Sequence, residues 1–225
     1  MDLPFEQFPA LSAVKICHHV FAQRIPDIDV SQEKAEVLER LDGAHREIRD
    51  ATGFRDWPLF AAEQVHGNRI AVIDSSSRGA VGREFSARDG IITNQRGIAL
   101  GIYVADCCAV YIVDPKTPAI GLVHSGRKGT ELDVVTNAIR QMIQLFGSDP
   151  ANMIVQLSPC IRPPHYEVDF ASEIIRQCRA LGVQHIHDSG TCTASDLGRY
   201  YSYRAEKGKT GRMLAVLGLN PTIAN

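Results

Sequence analysis

Residues 99–130 constrain the fold of this chain more than any other stretch, because they contain three short apolar runs separated by two polar breaks. Apolar runs of about four to eight residues between turn signals predict buried strands. The first run ends in Ala105-Asp106-Cys107-Cys108, the second ends at the turn Asp114-Pro115, and the third ends in His124-Ser125-Gly126. We therefore expect a central group of strands that carries a thiol and an imidazole at two of its ends.

A second imidazole occurs upstream in the same kind of position. Residues 60–65 predict a strand, and His66 follows it directly, just before Gly67. The pair Gly67-Asn68 is typical of a tight turn, so the sequence predicts a hairpin between residues 58–66 and residues 69–74. His66, Cys107 and His124 would then each lie at the end of a strand, where they could converge.

Two imidazoles and a thiolate form a donor set with a clear chemical preference. Zn²⁺ favours nitrogen and sulfur ligands, and three protein ligands leave the fourth tetrahedral position free, as in catalytic sites. Cu²⁺ would also accept these groups. The residues alone leave two other interpretations open. Cys107 could be a small buried apolar residue beside histidines that merely end strands, or the nucleophile of a hydrolase with His124 as its base.

The composition is that of an ordinary soluble protein. A net charge of −2 gives no basic excess that would hold nucleic acid, so we expect no nucleic-acid partner. No apolar run approaches the roughly 20 residues that span a bilayer, and the first residues lack the features of a signal peptide. The six cysteines include no Cys-x-x-Cys pair, so reduced thiols are expected. We expect a cytoplasmic protein that does not bind membranes.

Predicted strands and helices interleave along the chain, which favours the mixed α/β class and one domain over residues 1–225. Apolar residues recur at helical spacing over residues 29–53. A second helix is predicted to begin at Thr130-Glu131-Leu132-Asp133, which has the pattern of a capping box. The basic loop at residues 125–129 precedes this helix start, where backbone amides suit an anion such as phosphate.

Six groups of short motifs, taken in order, resemble the laccase-domain family, which is also called multicopper polyphenol oxidase and whose members are viewed as purine nucleoside phosphorylases. The resemblance covers nearly the whole chain. The matching strings are Gln64-Val65-His66-Gly67, Asp89-Gly90-Ile91-Ile92-Thr93, Ala105-Asp106-Cys107, residues 124–130, Ser158-Pro159-Cys160-Ile161 with Tyr166-Glu167-Val168, and Tyr201-Ser202-Tyr203-Arg204 with Thr210-Gly211-Arg212-Met213.

This resemblance implies a layered α-β-β-α sandwich and a zinc-dependent enzyme. His66, Cys107 and His124 would hold the ion as catalytic residues, and Asp106 would orient a ligand or take part in proton transfer. The implied reaction is phosphorolysis of adenosine, inosine, guanosine or methylthioadenosine, and adenosine deamination is implied as a further activity. The partners would be a purine nucleoside and phosphate, and the protein would be a monomer or a small homo-oligomer.

Five residues are candidates for substrate or phosphate binding. Arg127 and Lys128 come from the basic loop, whereas Arg24, Arg46 and Gln64 are carried over from the resemblance. The family typically shows His-Ala-Gly-Trp-Arg-Gly at this loop, so Arg127 replaces the tryptophan and Lys128 replaces the arginine. This departure leaves an inactive family member as one alternative. Copper-dependent phenol oxidation is another, although eight scattered histidines fit poorly with the dense histidine pairs of copper clusters.

Overall fold

The structure, a computed structural model, describes residues 3–76 and 84–221, and these residues form two six-stranded mixed sheets. Across the first sheet, the strands in spatial order are β1 (Phe5–Glu6), β2 (Cys17–Ala22), β12 (Met213–Leu219), β7 (Ala99–Val104), β3 (Leu59–Ala62) and β5 (Glu84–Phe85). Across the second sheet they are β11 (His185–Asp188), β10 (Ile154–Leu157), β8 (Cys108–Asp114), β9 (Ala119–Ser125), β6 (Gly90–Thr93) and β4 (Ile70–Ile73).

Helices cover the outer faces of both sheets. Within the described residues the α-helices are α1 (Pro9–Ser12), α2 (Lys34–Ala51), α3 (Arg127–Glu131), α4 (Val134–Phe146) and α5 (Phe170–Ala180), with 3₁₀ turns at Pro150–Asn152 and Thr193–Ser195. Helix α2 packs its apolar side on the first sheet, and helices α4 and α5 pack on the second. The predicted mixed α/β class and the layered sandwich are therefore confirmed. None of these helices is long and apolar enough to cross a membrane.

Strand β8 shows how the sequence pattern produces the layers. All seven of its residues are buried, which explains why it has a continuous apolar run rather than an alternating one. Tyr111 and Val113 face the core between the sheets, whereas Val110 and Ile112 face the helices. The Tyr111 hydroxyl donates a hydrogen bond of 2.9 Å to the carbonyl oxygen of Val20 in the first sheet. This bond satisfies the buried hydroxyl and joins the two sheets.

The turn predicted at Asp114-Pro115 is present. Strands β8 and β9 form an antiparallel hairpin in which Asp114 pairs with Ala119. The buried Asp114 carboxylate accepts hydrogen bonds from the amides of Lys116 (2.9 Å) and Thr117 (3.1 Å), which closes the turn.

The hairpin predicted around Gly67-Asn68 is wrong. Strand β3 pairs in parallel with β7 in the first sheet, whereas β4 pairs in parallel with β6 in the second. Residues 63–69 therefore cross from one sheet to the other. Residues 105–107 make a second crossing in the same direction, from β7 to β8. Both polar breaks that carry candidate ligands are thus connections between the two sheets.

The helix start predicted at Thr130 is also different. Helix α3 begins after Gly126, and Asp133, with a φ of 59°, interrupts the chain between α3 and α4 without a side-chain cap. The Thr130 hydroxyl instead donates to the Gly126 carbonyl oxygen at 2.8 Å, inside α3. Thr130 therefore forms a hydrogen bond within α3 instead of capping the next helix. Helix α3 carries Arg127 and Lys128 directly after strand β9.

Candidate metal centre

The three predicted ligands converge. His66 lies on the first crossing, Cys107 on the second, and His124 near the end of strand β9. Their ligand atoms all lie within 4.8 Å of one another, and the two imidazole rings are roughly perpendicular. His124 is buried, Cys107 is half-buried and His66 is exposed, so the group opens to solvent on one side. Convergence arises because β3 and β7 are parallel neighbours, so both crossings leave the first sheet at the same end.

A buried carboxylate organises this group. Oδ1 of Asp89 accepts the His66 amide at 2.8 Å and lies 2.9 Å from Nδ1 of His124, and Oδ2 accepts the Gly67 amide at 2.7 Å. Burial raises the pKa of Asp89, but the His124 ring and the amides outweigh it, and the pKa falls below its usual value. With Nδ1 of His124 donating to Asp89, Nε2 is left as the nitrogen that can bind a metal.

Asp89 opens the motif Asp89-Gly90-Ile91-Ile92-Thr93, but the sequence alone assigns it no role. The signal was present, because Asp89 directly precedes the apolar strand β6. A carboxylate in that position is buried only when hydrogen bonds compensate it, as they do at this residue.

The thiol and the buried imidazole strongly perturb each other. Burial raises the pKa of Cys107, but the charge and hydrogen bonds of His124 and His66 outweigh it and lower the pKa to about 6. Burial lowers the pKa of His124, but Cys107 and Asp89 outweigh it and raise the pKa to about 9. The pair therefore favours a thiolate beside an imidazolium. A thiolate is the form that binds metals and also the form that acts as a nucleophile.

Gly126 makes room for the thiol. A Cβ atom at this position would lie 2.4 Å from Sγ of Cys107, far inside the contact distance. The backbone φ of Gly126 is −104°, which any residue can adopt, so the requirement for glycine comes from this contact alone. Together, two nitrogen donors, one thiolate and a carboxylate that orients His124 fit a zinc ion by the chemistry of the donors.

A cavity of about 880 Å³ opens beside the three ligands. Its wall combines aromatic and cationic side chains, which are Tyr103, Tyr166, Phe170 and Tyr203 on the one hand and Lys34, Arg127, Lys128, Arg204, Lys207 and Arg212 on the other. The volume is in the range of pockets that hold small organic ligands. Such a wall suits a ligand with a flat ring and an anionic partner.

Arg127 and Lys128, the two phosphate-binding candidates from the basic loop, line this cavity. Both are exposed, and Arg127 donates to Glu131 at 2.9 Å and lies 3.7 Å from Glu167. Asp106 also lines the cavity, but its carboxylate accepts hydrogen bonds from the Thr193 hydroxyl and the Arg204 amide, both at 2.7 Å. These two hydrogen bonds connect the crossing that carries Cys107 to the segments that contain Thr193 and Arg204.

The other three predicted binding residues already form hydrogen bonds with groups of the protein. Gln64 lines the cavity, but its amide group bonds to both the backbone nitrogen (3.0 Å) and the backbone oxygen (2.6 Å) of Tyr103. Arg24 bonds to Glu206 at 2.7 Å, and Arg46 bonds to Asp42 at 2.7 Å on the exposed side of α2. Within the described residues, neither arginine is among those that line the cavity.

The fold and the donor set define a two-sheet α/β protein with a His-Cys-His group that could hold a metal ion. The chain matches the family model described as multi-copper polyphenol oxidoreductase laccase over residues 25–176 and 168–220, and it belongs to that family. This confirms the family predicted from the motifs.

The curated relatives are named as nucleoside enzymes. The chain is 28% identical over 205 residues to purine nucleoside phosphorylase YlmD of Bacillus subtilis, covering 75% of this chain and 72% of that protein. It is 31% identical over 198 residues to purine nucleoside phosphorylase Cgl2154/cg2365 of Corynebacterium glutamicum, covering 76% and 78%. The crystal structure of YlmD from Geobacillus stearothermophilus superposes with a TM-score of 0.82 at 22% identity, covering 97% of this chain and 100% of that one.

Proposed function

We propose that this protein is a zinc-dependent purine nucleoside phosphorylase that cleaves adenosine, inosine, guanosine and methylthioadenosine. The observation that carries the proposal is the convergence of His66, Cys107 and His124 beside a cavity with aromatic and cationic walls. Relatives named as purine nucleoside phosphorylases support the choice of substrate class.

In this proposal His66, Cys107 and His124 hold the zinc ion. When bound, such an ion acts as a Lewis acid that stabilises developing negative charge. Asp89 fixes the orientation of His124 and closes the turn at His66. The copper alternative has less support, because within the described residues this is the one group of three or more His, Cys, Asp or Glu side chains that could hold a metal.

The reaction makes simple demands on the rest of the cavity. An oxygen of phosphate forms a bond to C1′ of the ribose, the C1′–N9 bond breaks, and the purine leaves with the electron pair and takes up a proton. Cationic side chains on the cavity wall would neutralise the phosphate. Tyr166 and the exposed ring of Tyr203 offer faces on which a purine can stack.

Deamination of adenosine is a second activity that we assign to the same centre. The reaction consumes water and releases ammonia from C6 of the purine, giving inosine. It is favoured by the three-residue donor set, since three protein ligands leave a tetrahedral position open to water.

A cysteine hydrolase is the rival from another class, and the low pKa of Cys107 beside His124 favours it. The two functions differ in their response to metal removal. A hydrolase would keep its activity in a chelator and lose it on alkylation of Cys107, whereas the phosphorylase would lose activity in the chelator.

The test combines metal analysis with product analysis on the purified protein. Zinc would be measured by mass spectrometry, and adenosine and inosine would be incubated with and without phosphate and then separated by chromatography. We expect near-stoichiometric zinc and phosphate-dependent release of adenine and hypoxanthine. Inosine formed from adenosine without phosphate would report the deaminase activity.

Two adjacent cysteines provide a matched pair of variants. Cys107→Ala should lose both zinc and base release, whereas Cys108→Ala should keep both, because the Cys108 side chain faces the helices on the other side of the sheet. The cost of the buried Cys108 substitution should be about 1 kcal/mol of stability. Zinc binding with no turnover of either nucleoside would contradict the proposal and identify an inactive family member.

A further inference from the structure

One arginine in the cavity differs from all the other cations there. Arg204 bonds to Glu167 at 2.7 Å, and Arg127 bonds to Glu131, so carboxylates already neutralise both. The lysines of the wall are exposed. Arg212 is half-buried, and within the described residues no carboxylate oxygen lies within 4.0 Å of its guanidinium group.

The backbone fixes the position of this guanidinium group. Nη1 of Arg212 donates to the carbonyl oxygens of Thr210 (3.0 Å) and Gly211 (2.8 Å). The ring of Tyr203 lies beside it, with the guanidinium carbon 5.9 Å from the ring centre. Nε and Nη2 have no hydrogen-bond acceptor among the described residues, so one edge of the planar fork remains available.

Arg212 lines the same cavity as His66, Cys107 and His124. Burial lowers the pKa of Arg212, and interactions with Tyr203, Cys107 and Asp106 offset only part of that effect. A half-buried charge that contacts no carboxylate is costly, and proteins normally provide a counterion in contact. A ligand in the cavity could supply an anion in direct contact, and a planar guanidinium edge matches two oxygens of a phosphate.

We propose that Arg212 binds the phosphate that attacks the nucleoside, an assignment that rests on the proposed function. Arg212 is then a substrate-binding residue for the anionic substrate, in place of Arg24 and Arg46, which the protein itself holds. Arg127 is the rival within the cavity. Its pairing with Glu131 and its exposure make it a weaker anion site.

Direct binding of inorganic phosphate tests this assignment without turnover. Isothermal titration calorimetry of the full chain should give phosphate binding at least about tenfold weaker for Arg212→Gln than for the natural sequence, since charge-assisted bonds are lost. Arg127→Gln should change the affinity by less than about threefold, because the exposed Arg127 guanidinium is already paired with the Glu131 carboxylate. Arg176→Gln, on the exposed side of α5, should leave it unchanged.

Zinc content and thermal unfolding would check that each variant is folded. If Arg212→Gln does not fold, Arg212→Lys replaces it: this variant keeps the charge but loses the planar fork, and it should still weaken phosphate binding measurably. Phosphate binding that is equal in the natural sequence and a folded Arg212 variant, or that is lost only in Arg127→Gln, would overturn the assignment. So would a natural chain that binds no phosphate.

Kinetics separate this inference from the proposed function. In a phosphorolysis assay, Arg212→Gln should raise the KM for phosphate at least about tenfold and the KM for inosine by less than about threefold. Phosphate-dependent cleavage with an unchanged phosphate KM would overturn the role of Arg212 alone. Phosphate binding through Arg212 without cleavage of any nucleoside would overturn the proposed function and leave phosphate assigned to Arg212.

Discussion

Gly126 controls the position of the thiol through a single contact. Because its φ is negative, alanine could occupy the same backbone position without strain. The added methyl group would nevertheless overlap Sγ of Cys107, at 2.4 Å. The thiol would have to move away from the two imidazoles.

We therefore expect Gly126→Ala to weaken zinc binding at least about tenfold, as changes that reorient a metal ligand commonly do. Competition with a chelating dye would measure the affinity. Gly43→Ala is the matched control, because a Cβ atom there meets nothing within 4 Å in the middle of α2. It should leave zinc affinity unchanged and raise stability by about 0.5–1 kcal/mol. Equal zinc affinities of the two variants would refute the role of Gly126.

At the residue scale, the sequence was sufficient to predict which candidate ligands lie at strand ends. It was not sufficient to predict which partners the other polar side chains bond to. His66, Cys107 and His124 follow apolar runs that the sequence displays directly. Gln64 bonds to the backbone of a residue 39 positions away, and Arg24 bonds to a carboxylate 182 positions away. Arg212 was overlooked for the converse reason, since a missing carboxylate partner becomes visible only once the cavity is assembled.

Strand β2 carries a buried histidine that makes stability depend on pH. The His19 ring is 2% exposed, and its Nε2 accepts the amide hydrogen of Phe8 at 2.7 Å. Burial, together with the charge of neighbouring His18, lowers the pKa of His19 to about 4. An unfolded chain has a histidine pKa of about 6.5, so as pH falls the unfolded state takes up the proton first.

Stability should therefore be lost as the pH falls from about 6.5 to about 4, by at most about 3 kcal/mol from His19. Unfolding in urea at several pH values would measure it. His19→Gln keeps an acceptor for the Phe8 amide and should flatten the dependence, whereas His187→Gln on the exposed strand β11 should not. A slope that is the same in all three proteins would show that His19 does not titrate in this way.

Elements were predicted better than their pairing. The turn at Asp114-Pro115 is local, since two amides within three residues close it, and the sequence shows all of its parts. The turn signal at Gly67-Asn68 is just as local. However, the flanking strands β3 and β4 pair with β7 and β6, which belong to different sheets. Here tertiary pairing overrides the local preference of a good turn pair.

At the scale of the whole molecule, the proposed zinc site brings together segments that connect the two sheets. Its proposed ligands lie on two crossings and on strand β9, so a bound ion would stabilise the folded arrangement of all three segments. A ligand that binds only the folded state adds about 2.7 kcal/mol at 100 times its Kd. For a chain of this size, that corresponds to a rise in Tm of about 5–10 °C.

We expect this rise in Tm when zinc is added to protein that has been treated with a chelator. Differential scanning calorimetry would measure it. His66→Ala should abolish the rise while changing the metal-free Tm little, because His66 is exposed. A rise of the same size in His66→Ala would mean that zinc binds elsewhere.

The layered arrangement came from the family resemblance, because periodicity does not reveal which strands share a sheet. The structure shows why. Strand β12, at residues 213–219, lies between β2 at residues 17–22 and β7 at residues 99–104. No local signal links segments so far apart in sequence.

This central position of β12 also sets an order of events during synthesis on the ribosome. Strands β2 and β7 emerge early, but in the folded protein each of them pairs with β12, which lies between them. The second sheet can form from segments that emerge well before β12. The nascent chain thus carries one open sheet until β12 is made, and a premature stop codon before residue 213 removes a strand from the interior of the first sheet, not from its margin.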